Sequence, residues 1–428
     1  MPEKIDWYDD FVDLGYSPSI DDLICLYYFE PAHGISEKEA AGRIASESSA
    51  GTWTTLYHLP MRVDKIKAIA FELKERYVKI AYPLELWEAG NVPQLLSGIA
   101  GNIFGMKALQ NLRLVDVSFP ESYIQHFKGP RYGIKGIRSL LKVEKRPITG
   151  AVPKPKIGLS AAEHADIAFE TWMGGFDLVK DDENLTSVSF NRFEERVERM
   201  ARLRDKAEKL TGEQKDALMN ITGETKQMIQ RARLLHNHGF GFVMIDVVTC
   251  GSSALQTLRD ECDDLDMAIH AHRAMHAAFD RNPKHGISMY FLAKLMRLIG
   301  VDEIHVGTAV GKLVSGREEV VQLANMLRES YVEEYLTQEW GSIKPVFPVS
   351  SGGLHPGLIP EVMHILGNQC ILLVSGGIHG HPEGTQAGAK AVIQAIEATM
   401  QGIDLRSYAE KHKELKQALD KWGYLRPK

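Results

Sequence analysis

Eight short apolar runs recur after about residue 130, and they restrict the fold more than any other feature of this chain. They occupy residues 148–157, 176–180, 217–222, 242–248, 267–272, 303–306, 346–349 and 371–375. Charged stretches with helical periodicity separate them, at 161–171, 193–211, 225–236, 254–260, 291–298, 318–329, 357–366 and 387–400. Runs spaced by roughly 25–40 residues, each followed by a helical stretch, are the signature of βα units. Parallel neighbours in a sheet need such crossovers. Eight units fit a closed (β/α)8 barrel, the TIM barrel. A doubly wound open sheet alternates in the same way, so spacing alone leaves both architectures open.

The first 130 residues have a different texture. Asp22 to Phe29 is a strand rich in aromatic and branched residues, and Ser36 with Glu39 gives the look of a capping box before an alanine-rich helix. Residues 65–81 and 109–117 add strand material. This is an α+β, ferredoxin-like domain, with its sheet covered on one face. At 428 residues, two domains are expected, 1–130 and 131–428, the second a barrel with C-terminal helices. A net charge of -6 gives no reason to invoke nucleic acid or an anionic membrane. Cys25, Cys250, Cys262 and Cys370 lack both CxxC spacing and disulfide density, so they read as free thiols in a reducing cytosol. The aromatic, acidic N-terminus has no apolar core of a signal peptide, and a cytoplasmic location is expected.

The ends of the runs favour the barrel. Lys154 and Lys156 follow the first run, Lys180, Asp182 and Glu183 end the second, and His272 and Arg273 end the fifth. His305 ends the sixth, Ser351-Gly352-Gly353 the seventh and Ser375-Gly376-Gly377 the eighth. Barrel enzymes place their chemistry at this end of their strands. Within 174–184, strand alternation sends Lys180 and Asp182 to one face and Asp181 to the other. Clustered carboxylates suit a hard divalent cation such as Mg²⁺, or else a solvated acidic turn. The two glycine-rich ends fit a phosphate cradle, or two tight turns. Residues 307–312, ending in Lys312, read as a mobile lid bringing a cation to a bound anion, or as a simple loop. Two phosphate sites flanking a carboxylate-bound metal point to a bisphosphorylated sugar and to enolate chemistry.

Three motifs then carry a resemblance: Lys154-Pro155-Lys156-Ile157-Gly158-Leu159-Ser160, Gly175 to Asn184, and His272-Arg273-Ala274-Met275-His276. With Glu47 to Thr54 and Gly101 to Gly105, they resemble the large subunit of ribulose-1,5-bisphosphate carboxylase/oxygenase (RuBisCO), in the family's order and over nearly the whole chain. Residues 191–196 and 285–289 look most like the archaeal form III branch. The resemblance implies Mg²⁺ held by Asp182, Glu183 and a Lys180 carbamylated by an activating CO₂. The carbamate would take the C3 proton of ribulose 1,5-bisphosphate, and CO₂ or O₂ would then add. Lys154 would move a proton at C2, with Lys156 supporting it and binding substrate. His272 would serve near the C3 hydroxyl. Arg273, His305 and Ser351 would hold the 5-phosphate side. Gly353, Ser375 and Gly376, with Thr52 and Trp53, would hold the 1-phosphate, and Gly352 and Gly377 would also bind substrate. Lys312 would close over the site, steadied by Glu47, and Asn102 would also reach the substrate.

By the same resemblance, Glu47, Thr52, Trp53 and Asn102 complete the site of a second subunit. A homodimer or ring of dimers follows, with no small subunit. The branch points to archaeal nucleotide-ribose or pentose-phosphate metabolism. Two positions depart from the family. Val152 stands where plant-type enzymes usually carry a Thr, and Ser375 where a Gly is usual, and a positive φ there would make its Cβ crowd the 1-phosphate. A RuBisCO-like enolase or isomerase is the competing reading, but such relatives lose several of the lysines and histidines that this chain keeps. A non-catalytic scaffold would have little reason to keep so many clustered charges.

Overall fold

The computed structural model describes residues 6–52, 60–308, 310 and 316–424. The chain forms two compact units, and they are not consecutive in sequence. The second comprises Gly129–Ala274, Ile299–Arg328 and Lys344–Lys428. Its eight strands are Ile148–Ala151, Leu178–Lys180, Asp216–Leu218, Phe242–Asp246, Ala268–His272, Glu303–His305, Phe347–Ser351 and Ile371–Leu373. Each overlaps one of the eight apolar runs. The first run extends furthest beyond its strand, because Pro153 and Pro155 have no N–H to offer a ladder.

The strands pair in parallel in chain order, and the eighth pairs with the first. The third and fourth meet through a parallel bridge at Asn220 and Met244, where Ile221 N–H donates to Met244 O at 3.0 Å. The sheet therefore closes, and the open doubly wound alternative is excluded. Inward residues of all but the sixth strand fill the barrel, among them Ile148, Leu178, Leu218, Phe242, Ala268, Phe347 and Ile371. Ile134, Ile137 and Leu141 from helix Gly133–Leu141 join the same cluster.

Helix Ala161–Met173 starts at a full capping box, Ser160 with Glu163, and ends at Gly174. A Cβ on Gly174 would stand 2.5 Å from Ala389 Cβ and 2.6 Å from Gln386 O. Only glycine admits helix Thr385–Met400 this close, and the approach fixes where the second strand begins. Asp177 then anchors that strand: it accepts two bonds from Arg146, each 2.7 Å, and one from Thr149 N–H at 2.8 Å.

The first unit comprises Met1–Lys128, Met275–Leu298 and Glu329–Ile343. Its sheet runs in the order Gly286–Ile287, Leu109–Ser118, Leu23–Pro31, Tyr77–Tyr82, Ile69–Lys74. The last four are antiparallel, and Gly286–Ile287 adds in parallel. Leu23, Cys25, Tyr27 and Phe29 are all fully buried, as strand alternation requires of one covered face. The opposite face is covered too, which corrects the one-sided expectation: Leu26 and Val115 cluster with Leu336 from the 329–343 segment. A buried ion pair, Lys294 Nζ to Asp116 Oδ1 at 2.6 Å, ties helix Met289–Ile299 to the Leu109–Ser118 strand.

Candidate active site at the C-terminal end of the barrel

The second strand ends in Lys180, whose side chain is 1% exposed. Its Nζ donates to Asp181 O at 2.8 Å. Burial lowers its pKa from the ordinary 10.5 to about 8, against the carboxylates of Asp182, Asp246, Glu183 and Asp181 that favour its charge. A lysine in this state exchanges between ammonium and nucleophilic amine near neutral pH.

Asp181 turns away, as strand alternation predicts. Its Oδ2 accepts from Arg196 Nη2 at 3.0 Å, Arg196 Nε at 3.2 Å and Asn220 N–H at 3.0 Å, and His164 Nε2 lies 3.1 Å from Oδ1. Burial opposes its ionisation, but Arg196 and these donors hold its carboxyl at about 2. Asp181 is thereby a structural carboxylate. Asn220 Nδ2 also donates to the carbonyls of Asp182 and Glu183, at 3.2 and 2.9 Å, and so shapes the turn that presents them.

Asp182 and Glu183 face the cations that follow the first strand. Lys154 Nζ donates to Asp182 Oδ2 at 2.6 Å, and Lys156 Nζ to Glu183 Oε1 at 2.9 Å. On the fifth strand, His272 Nδ1 lies 2.9 Å from Asp246 Oδ1. Burial and then the Lys180 ammonium lower the His272 pKa, against Asp246, so the ring is neutral at pH 7. The His272 and His305 rings meet edge to face at 4.7 Å. His305 Nδ1 lies 2.7 Å from Ser351 Oγ, and Arg273 is buried.

Gly352 and Gly353 follow with φ of 117° and 72°, backbone that L side chains rarely adopt. Ser375 Oγ accepts from Val152 N–H at 3.0 Å, which joins the two positions expected to depart from the usual residues. Ser375 has φ −106°, so the crowding expected from a positive φ does not arise. Gly376 has open space at its missing Cβ, whereas a Cβ on Gly377 would meet Leu354 O at 2.3 Å.

Residues 133–422 match the catalytic domain of the ribulose bisphosphate carboxylase large chain, and residues 10–123 match its N-terminal domain. The chain belongs to the RuBisCO large-chain family. It is 56% identical over 429 residues to the ribulose bisphosphate carboxylase of Pyrococcus furiosus, covering 99% of this chain and 100% of that one. The octameric RuBisCO of Pyrococcus horikoshii superposes with a TM-score of 0.93 at 52% identity, covering 98% and 99% of the two chains. The dimeric archaeal RuBisCO of Hyperthermus butylicus gives 0.93 at 49%, covering 98% and 100%. As a RuBisCO, the chain is a carboxy-lyase, and the three relatives just named are archaeal.

The site residues of this RuBisCO expected outside the barrel lie in the first unit. Asn102 Nδ2 donates to Glu47 Oε1 at 3.4 Å, and both side chains are exposed. Thr52 is half-buried. Trp53 and Lys312 lie outside the described residues. The sequence reading passed over Asp246, Asn220, Arg196 and Glu303. Asp246 ends the fourth barrel strand, and a lone carboxylate inside the fourth apolar run was the available signal. Arg196 carried none, because helix Phe193–Thr211 is rich in charge throughout. No helix among the described residues is long and apolar enough to cross a membrane.

Proposed function

We propose that this RuBisCO acts on ribulose 1,5-bisphosphate by metal-assisted enolisation, addition of CO₂ or O₂, and cleavage to 3-phosphoglycerate. The observation that carries the reading is Lys180, buried among carboxylates yet with its pKa lowered to about 8. Among the described residues, no three His, Cys, Asp or Glu side chains converge as a metal site. Asp182 and Glu183 supply two carboxylates, and a third anionic oxygen beside them would complete the protein's share of the shell. A carbamate formed from the Lys180 amine and CO₂ supplies it and converts a repelling cation into an anion. That oxygen donor set suits Mg²⁺. When bound, the carbamate and Mg²⁺ supply a base at C3 and Lewis-acid polarisation of the substrate's carbonyl oxygen.

The chain's own groups do the rest. Asp182 and Glu183 hold the metal, and Lys154 and Lys156 must release them to do so. Both lysines are then free to meet substrate, Lys154 for proton transfer at C2 and Lys156 for support and binding. Neutral His272, oriented by Asp246, accepts a proton near the C3 hydroxyl. Arg273, His305, Ser351 and Gly352 bind the 5-phosphate side, and Gly353, Ser375, Gly376 and Gly377 the 1-phosphate. Lys312 closes over the site. Glu47, Thr52, Trp53 and Asn102 serve a neighbouring subunit, so the working form is a homodimer or a ring of dimers in the cytosol. We assign the activity to archaeal nucleotide-ribose or pentose-phosphate metabolism.

Radiolabelled bicarbonate tests the reading directly. After preincubation with CO₂ and Mg²⁺, ribulose bisphosphate should yield labelled 3-phosphoglycerate. A chain that forms none under those conditions is not this enzyme.

A further inference from the structure

Four groups form one hydrogen-bonded file across the fifth, sixth and seventh barrel strands. Glu303 Oε2 lies 2.7 Å from His270 Nδ1, His270 Nε2 lies 3.0 Å from His305 Nε2, and His305 Nδ1 lies 2.7 Å from Ser351 Oγ. Glu303 and His270 are fully buried, and His305 is 6% exposed. The family motifs account for His305 and Ser351 but give no role to Glu303 or His270.

The contact between the two Nε2 atoms sets the direction of the whole file. One atom must donate and the other accept, and a neutral imidazole has a single N–H. With Glu303 ionised, His270 Nδ1–H donates to it and His305 Nε2–H donates to His270. Ser351 must then give its only proton to His305 Nδ1. With a proton on Glu303, every bond reverses. His305 Nδ1–H donates to Ser351 Oγ, and the serine hydroxyl proton faces outward for an anion. Moving that proton from Glu303 to His270 leaves the bonds beyond His270 unchanged.

The surroundings favour the second direction. Among the described residues no lysine or arginine pairs with Glu303, and its Oε1 has no hydrogen-bond partner. A buried carboxylate with one oxygen unsatisfied is far less favourable than the neutral acid. The charges facing it are Asp302 and Asp216, which add to burial in raising its pKa well above the usual range. Lys180 and His272 face His270, and His272, His270, Lys180 and Arg273 face His305. Burial and these neighbours hold both imidazoles well below their usual value.

We infer that Glu303 is a positioning residue that keeps the file donor-outward, so that Ser351 offers its hydroxyl proton to the substrate's phosphate. This rests on the reading of Ser351 as a phosphate contact. Nitrogen-15 NMR of histidine-labelled enzyme reads the direction without any turnover. We expect His305 to carry its proton on Nδ1 in the wild type and in Glu303→Gln, whose amide keeps a donor toward His270. Glu303→Leu removes that donor. It should raise KM for ribulose bisphosphate about tenfold with kcat changed less than about threefold, the effect of one hydrogen bond to a charged group. On that background Ser351→Ala should add little further. A His305 proton on Nε2 in the wild type overturns the inference, even in an enzyme that carboxylates its substrate. So does a Ser351→Ala effect of equal size in both backgrounds. A wild type that makes no 3-phosphoglycerate overturns the functional reading and leaves the NMR result standing. If Glu303→Leu does not fold, the wild type and Glu303→Gln still decide.

Discussion

Lys180 and Asp181 are adjacent carriers of opposite charge, and each is buried, but their environments push them to opposite uses. Lys180 has too little compensation to keep an ordinary lysine pKa, so burial dominates and its pKa falls to about 8. The sign fixes the pH dependence of the proposed carbamylation. Only the neutral amine adds CO₂, so about a tenth of the lysines are competent at pH 7 and about half at pH 8. At constant dissolved CO₂, trapped radiolabel on Lys180 should rise with pH to a midpoint near pH 8. A midpoint near the ordinary 10.5 contradicts the buried environment described here. Asp181 has ample compensation from Arg196, His164 and Asn220. Replacing it with Asn leaves Arg196, which is 0% exposed, without its carboxylate, and should lower unfolding stability in urea by about 3–5 kcal/mol. The pairing holds the Asp181 pKa down at about 2, so its contribution is complete above about pH 4 and is lost as pH falls through 2. Strand alternation made the orientation of Asp181 legible in the sequence. Its partners were not legible, because they come from two helices and a neighbouring strand end.

At the scale of elements, all eight barrel strands could be read from the chain, because each is a short apolar run bounded by charge or glycine. Helix Phe193–Thr211 kept its expected bounds for a related reason, with Gly212 at φ 72° ending it. What escaped was membership. Helix Met289–Ile299 has the periodicity of a barrel crossover, yet it packs with the first unit. Its Lys294 is fully buried against Asp116, and Lys294 Nζ donates to Val117 O at 2.9 Å as well. No local pattern announces a lysine that pairs across 177 residues of chain. Lys294→Met alone strands a buried Asp116 and should destabilise the protein by about 3–5 kcal/mol, whereas Lys294→Met with Asp116→Leu should recover most of that loss. Urea unfolding of the single and double variants measures the difference. A double variant as unstable as the single would mean that the loss comes from packing rather than from the uncompensated charge.

For the whole molecule, the division of the proposed site residues between the two units makes the assembly testable through mixed variants. Glu47→Ala and Lys180→Ala should each be inactive alone. If Glu47 serves a neighbouring barrel, coexpression assembles mixed dimers with one intact site each. Half of randomly assorted dimers are mixed, so activity should return to about a quarter of wild type. No recovery would place Glu47 in the site of its own chain.

The interleaving of the first unit also governs how the chain emerges from the ribosome. Asp116 and its strand are synthesised long before Lys294, 178 positions later in the chain. At about 5–20 residues per second, that interval lasts roughly 10–35 s. For all of it, a carboxylate meant for the interior has no counter-ion, and the Leu109–Ser118 strand lacks its Gly286–Ile287 neighbour. The nascent sheet stays one strand short, with an open edge exposed to other chains. A ribosome-bound chain halted before residue 286 should thus be a good substrate for chaperones, and the complete chain, whose eighth barrel strand Ile371–Leu373 closes the second unit as well, a poor one.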